Sequence, residues 1–150
     1  MPNKVPILVV DDSEDDVFFL RRAFEKAGLK SPIIHLSDGE EAVDYLSGEN
    51  GFTDRSRYPL PKLMVLDVKM PKRDGFDVLQ WLLTHNDLKN FPVVMLTSSP
   101  RPEDVEKAKA LGATDYLCKP VESAGFDQLV QTIVTKWLTT SGKKSYAAVP

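Results

Sequence analysis

The chain has 150 residues, the size of one domain, with 19 Lys and Arg against 22 Asp and Glu, a net charge of −3 and a pI of about 5.4. That balance argues against the basic stripe of a nucleic-acid binder. The single cysteine, Cys118, excludes an internal disulfide, and apolar runs of at most four residues are far short of the ~20 that a membrane span takes.

The first apolar run, Ile7–Val10, is closed by Asp11 and Asp12, which also cut off any signal-peptide core behind Lys4. The expectation is therefore a soluble, cytoplasmic domain with no membrane partner. The first helix follows, with Val17, Leu20, Phe24 and Ala27 on one face and Gly28 as its stop. Ser13 followed by Asp16 has the spacing of a capping box with Asp in the usual Glu place. Further runs at Ile33–Leu36, 63–66, 93–96 and 116–118 alternate with helices expected from about residues 40 to 47, 75 to 84 and 102 to 111. A fifth helix carries the stripe Phe126, Leu129, Val130, Ile133, Val134 and Trp137. Short continuous runs of Val, Ile and Leu read as strands covered on both faces. Their alternation with helices predicts an α/β fold, a doubly wound (βα)5 flavodoxin-like sandwich of three layers with a parallel sheet in the order 2-1-3-4-5. Residues 1–140 are read as one domain. Residues 47–62 form an extended loop with two Gly and two Pro, and residues 141–150 a flexible tail.

In an open parallel sheet, ligands bind beyond the carboxyl ends of the strands. The residues that close each run are Asp11 and Asp12, Ser37-Asp38-Gly39, Asp67, Thr97-Ser98, and Lys119-Pro120. Three carboxylates, a hydroxyl and an ammonium would converge on one edge. Two carboxylates ~4 Å apart repel by about 4 kcal/mol at an effective dielectric of ~20, so the cluster calls for a cation. The donors are hard oxygens, which prefers Mg²⁺ to Zn²⁺. A carboxylate beside such an ion is a candidate nucleophile for phosphoryl transfer, with a lysine and a hydroxyl to stabilise the transferred charge.

Ile7-Leu8-Val9-Val10-Asp11-Asp12, Leu66-Asp67-Val68-Lys69-Met70-Pro71, Asp74-Gly75, Leu96-Thr97-Ser98 and Tyr116-Leu117-Cys118-Lys119-Pro120 together resemble the CheY-like receiver domains of two-component response regulators, in family order over residues 5–139. The resemblance implies that Asp67 accepts a phosphoryl group from the phosphohistidine of a sensor kinase. It implies that Asp12, Asp67 and the backbone carbonyl of Lys69 bind Mg²⁺, with Asp11 acting largely through a metal-bound water. Lys119 would pair with the phosphoryl oxygens, Thr97 would close on them, and Tyr116 would turn inward behind Thr97. That movement would change the face formed by helix 4, strand 5 and helix 5. The resemblance also implies a cis Lys119-Pro120 bond, and a role for Lys69 and Ser99 in tuning hydrolysis. A narrower similarity, to stand-alone receivers that partner cyanobacterial phytochromes, rests on residues 38–46, the 47–62 segment and Lys69-Met70-Pro71-Lys72. With some ten residues beyond the fifth helix, the output would lie on another chain: a downstream protein, a histidine phosphotransfer protein or a second copy in a homodimer.

Such a switch has no substrate to turn over and is not read as an enzyme. An aspartyl-phosphate phosphohydrolase is the alternative, although the haloacid-dehalogenase type places a second Asp where Lys69 stands. A flavodoxin-like cofactor binder would need a hydroxyl- or glycine-rich loop in place of Asp11-Asp12. Glu14, Asp15 and Asp16 read as a solvated helix start, suited to the positive end of the macrodipole. Cys118 reads as a small buried hydrophobe, Trp137 as core or dimer face, and His35 and His85 as structural. Phe18 and Phe19, outside the inward face of helix 1, suggest a docking patch for a kinase helix.

Overall fold

Five parallel strands are joined by five helices in the computed structural model, which describes residues 5–88, 90–98 and 101–138. The elements are β1 (Ile7–Val10), α1 (Glu14–Lys26), β2 (Ile33–Leu36), α2 (Gly39–Ser47), β3 (Leu63–Asp67), α3 (Gly75–Leu83), β4 (Val93–Thr97), α4 (Pro102–Ala110), β5 (Asp115–Cys118) and α5 (Gly125–Ile133). A 3₁₀ turn, Asn86–Leu88, follows α3, and a π turn, Val134–Leu138, extends α5. The strand order is β2-β1-β3-β4-β5, the expected doubly wound arrangement. Ser99 and the 141–150 tail lie outside the described residues.

The continuous apolar runs follow from the layering. Side chains alternate across a strand, so Ile7, Val9, Leu63, Val65, Val94 and Leu96 pack beneath α1 and α5. Leu8, Val10, Met64, Leu66, Val93 and Met95 pack on the other face beneath α2 and α3. Both faces are covered and neither can be polar, and each fully buried Val or Leu contributes about 1.5–3 kcal/mol. The edge strands differ. Three of the four β2 residues and three of β5 are only half-buried, and Cys118, at the open edge of β5, is exposed. The expectation of a buried Cys118 is corrected: it ends an edge strand, which among the described residues has a neighbour, β4, on one side alone.

Local chemistry fixes where the elements end. Ser13 Oγ accepts from Asp16 N at 3.3 Å, but the reciprocal half of the expected capping box does not form because the Asp16 carboxylate is engaged elsewhere. Asp38 caps α2 and Asp74 caps α3, the latter in a complete capping box with Asp77. The carboxyl end of α2 is sealed by the 47–62 segment. Arg55 donates to the Tyr45, Leu46 and Tyr58 carbonyls, and the fully buried Tyr45 donates its hydroxyl to Pro59 O at 2.7 Å. Rings of Tyr45, Phe52 and Tyr58 pack at 5.1–5.9 Å between centroids. The long loop is thus a cap for carbonyls that a helix end leaves without partners.

Candidate functional site

The parallel register sets the strand-end polar groups at one edge. Val10 pairs with Leu36 and Leu66, Asp67 with Leu96, and Thr97 with Cys118, so the next residue of each strand emerges on the same side of the sheet. Asp11 N donates to Leu36 O at 3.0 Å and Lys119 N to Thr97 O at 2.7 Å, extending the ladder into the site itself. His35 Nε2 lies 2.8 Å from Asp11 O, a structural contact that pins the same backbone. Below Asp67 the chain turns sharply into α3. Gly75 N donates to Val68 O at 2.8 Å, and a Cβ at Gly75 would collide with the Asp67 carbonyl, so only glycine permits this approach.

Asp12, Ser13, Asp16, Asp67, Lys69, Thr97, Ser98 and Lys119 line a cleft of about 280 Å³ at this edge. Asp11 is 1% exposed and Asp67 6%, whereas Asp12 faces solvent. Oxygen atoms of Asp11, Asp12 and Asp67 all lie within 4.8 Å of one another. The Lys119 ammonium sits 2.9 Å from Asp11 Oδ2, 3.1 Å from Asp67 Oδ1 and 2.8 Å from Asp16 Oδ2. Three carboxylates therefore surround one ammonium, and Asp12 lies beside them.

The electrostatics follow from burial and crowding. Burial, then the charge of Asp11, push the Asp67 carboxyl up to about 6, with Lys119 opposing. Burial also raises Asp11 against the hydrogen bond that its Oδ1 accepts from Ser13 N. For Lys119 burial pulls downward, but the hydrogen bond to Asp16 and the nearby charges of Asp11 and Asp67 hold the ammonium above its usual range. Asp11 Oδ2 is buried and, despite its closeness to Lys119, receives no suitably directed hydrogen bond. A buried, under-satisfied carboxylate oxygen beside two more hard donors fits a small divalent cation.

The residues expected from the sequence occupy this edge as follows. Asp11, Asp12 and Asp67 converge, Lys119 reaches them, and Thr97 and Lys69 border the cleft. The Tyr116 hydroxyl is shielded from solvent; burial raises its pKa, and the Thr97 hydroxyl beside it acts in the opposite direction. Two expectations are corrected. Among the described residues there is no cis peptide bond, so Lys119-Pro120 is trans, the isomer that the general X-Pro preference favours. Asp16 is not merely a solvated helix-start acid, because its carboxylate bonds Lys119 across the cleft. The missed signal was spacing: Asp16 lies four residues before the fully buried Leu20, on the inward side of α1. Glu14 and Asp15 are exposed, as expected.

Away from the cleft, Phe18 is 57% exposed, and Phe19 packs on Phe126 at 5.6 Å. Phe18 and Arg22 border an open groove of about 940 Å³ along α1 toward the start of β2, larger than the cleft but without its chemistry. His85 stacks on Trp81 at 4.0 Å, and Trp137 Nε1 donates to Asp115 Oδ2 at 3.3 Å. Among the described residues no helix is long and apolar enough to cross a membrane.

Residues 7–133 match the response regulator receiver domain family. Response regulator Rcp1 of Synechocystis is 34% identical over 139 residues, covering 93% of this chain and 92% of its own. Among solved structures, the phosphorylated cyanobacterial phytochrome response regulator RcpA superposes with a TM-score of 0.82 at 30% identity, covering 92% of this chain and 96% of that one. The Mn²⁺-bound form of Rcp1 superposes with a TM-score of 0.81 at 32% identity, covering 91% and 96%. With the strand order, the acidic edge and this coverage in agreement, the chain belongs to the response regulator receiver domain family.

Proposed function

We propose that this chain is a phosphorylation switch in which Asp67 takes a phosphoryl group from the phosphohistidine of a sensor kinase. The observation that carries the reading is the placement of Asp67, 6% exposed at the end of β3, with Lys119 Nζ 3.1 Å from its Oδ1 and two further carboxylates alongside. An Asp67 oxygen would attack phosphorus as the phosphorus–nitrogen bond to the donor imidazole breaks; the imidazole keeps the electron pair and gains a proton. With its carboxyl at about 6, Asp67 is largely ionised at pH 7 and available as the nucleophile.

Asp12, Asp67 and the Lys69 carbonyl would hold a divalent cation, with Asp11 reaching it through water. Mg²⁺ is the proposed ion; once bound, it would offset the carboxylate charge and that of the transferred phosphoryl oxygens. Lys119 would give up its Asp67 contact for a phosphoryl oxygen, and the Thr97 hydroxyl would donate to another. Tyr116 sits behind Thr97 on β5, so that closure of Thr97 would be felt by the α4, β5 and α5 face. That face is the proposed output, offered to a downstream protein, a histidine phosphotransfer protein or a second copy. The likeness to Rcp1 and RcpA supports a phytochrome-like kinase as donor, in the cytoplasm. The chain acts stoichiometrically, as a phosphoprotein and not as an enzyme.

Transfer from kinases carrying labelled phosphohistidine tests this directly. Rapid labelling of one site by a phytochrome-type kinase is the expected result. Repeated turnover of a phosphate monoester without a stable labelled chain would favour a phosphohydrolase and overturn the proposal.

A further inference from the structure

The Asp16–Lys119 contact joins the first turn of α1 to the loop after β5, 103 residues apart in sequence. It is the shortest of the three carboxylate contacts of the ammonium, and it is a directed hydrogen bond. Asp16 is also the only one of the three outside the acidic triad suited to a cation. We propose that Asp16 is a positioning residue for Lys119: its carboxylate, fixed on α1, holds the ammonium over Asp67 and keeps that hold when Asp67 becomes an acyl phosphate. The inference rests on the receiver reading of Asp67.

The count of donors supports it. A lysine ammonium has three N–H groups, and three carboxylates surround this one. Phosphorylation changes the Asp67 partner, and cation binding engages Asp11. Asp16 faces neither change. Its backbone is anchored through its own N–H, which donates to Ser13 Oγ, and by the packing of Val17 and Leu20 in the core behind it. A flexible four-carbon stem would otherwise leave the Lys119 head free to follow whichever anion is nearest. The Asp16 side chain is 26% exposed and Lys119 9%, so Asp16 holds the lysine from the solvent side of the cleft.

The test uses the full chain with Asp16→Asn, with Asp15→Asn as the control that removes an equal charge from the same exposed helix start. Two readouts are taken: the initial rate of phosphorylation by acetyl phosphate at saturating Mg²⁺, and the ¹⁵N ammonium resonance of Lys119 in the metal-free chain. Loss of a charge-assisted hydrogen bond corresponds to a rate lower by about tenfold in Asp16→Asn, with the Lys119 resonance broadened by exchange. Asp15→Asn leaves both as in the wild type, and Asp16→Glu, which restores the charge, recovers the resonance. An unchanged rate, a faster rate or an unchanged Lys119 resonance in Asp16→Asn overturns the inference. Labelling of Asp67→Asn at the wild-type rate would instead overturn the receiver reading. Labelling lost in Asp67→Asn but normal in Asp16→Asn defeats the positioning role alone.

Discussion

The cleft at the carboxyl edge of the sheet and the cap at the end of α2 both bury polar groups, and they do so in opposite ways. Around Tyr45, polar atoms are matched to partners: Arg55 donates to three carbonyls and the Tyr45 hydroxyl to a fourth. Around Asp67, three carboxylates share one lysine with a fourth alongside, one buried oxygen has no directed donor, and two acids are pushed above their usual range. The cap stabilises the fold as it stands. On the proposed reading, a cation and a phosphoryl group would offset the crowded charge of the cleft.

Substitutions in the two regions should therefore separate function from stability. The largest effect on uptake is expected for Lys119→Ala, which removes the ammonium that contacts Asp11, Asp16 and Asp67. Phosphoryl uptake from acetyl phosphate should fall about 10²-fold, and chemical denaturation should show a loss of about 3 kcal/mol in metal-free buffer at neutral pH. Tyr45→Ala, in the cap, should cost about 3–5 kcal/mol by the same measurement, while the folded fraction takes up phosphoryl groups at the wild-type rate. If Tyr45→Ala slowed uptake as much as Lys119→Ala, the separation of the two regions would fail.

A third test concerns sign. The Asp67 carboxyl is raised to about 6 in the fold, so its contribution is fully present below the ordinary carboxylate range of ~4 and is lost as pH rises through about 6. Asp67→Asn, neutral throughout, should match the wild type near pH 4 and exceed it by about 1–3 kcal/mol at pH 8 in metal-free urea titrations. Mg²⁺ should shrink that difference by stabilising only the wild type. A variant less stable than wild type at pH 8 without metal would contradict the picture of a strained cleft. The smallest effect should come from Asp38→Ala, which removes the side-chain cap of α2 and should cost about 1 kcal/mol without altering uptake.

Much of this was legible in the chain itself, for physical reasons. Runs such as Ile7–Val10 announce strands covered on both faces because nothing polar is tolerated there, and the acids and lysine that close them announce the ligand edge. The edge strands were less legible, since the exposure of Cys118 depends on the place of β5 at the edge of the sheet and not on its own sequence neighbours. Asp16 was hidden because an acid in a first helical turn already has a sufficient explanation in the macrodipole. Only the approach of Lys119 from the far end of the chain reveals its second partner. Arg55 was illegible for a related reason: its partners are backbone carbonyls, which carry no residue signature.

The central claim, that Asp67 is the cation-dependent phosphoryl acceptor, is tested most directly by intact-mass analysis of the chain after incubation with acetyl phosphate, with Mg²⁺ or with a chelator. The account predicts one phosphoryl group per chain with Mg²⁺, mapped to Asp67, and none with the chelator or in Asp67→Asn. A phosphoryl group that persists in Asp67→Asn at the wild-type stoichiometry, or that is acquired equally without a divalent cation, would contradict it.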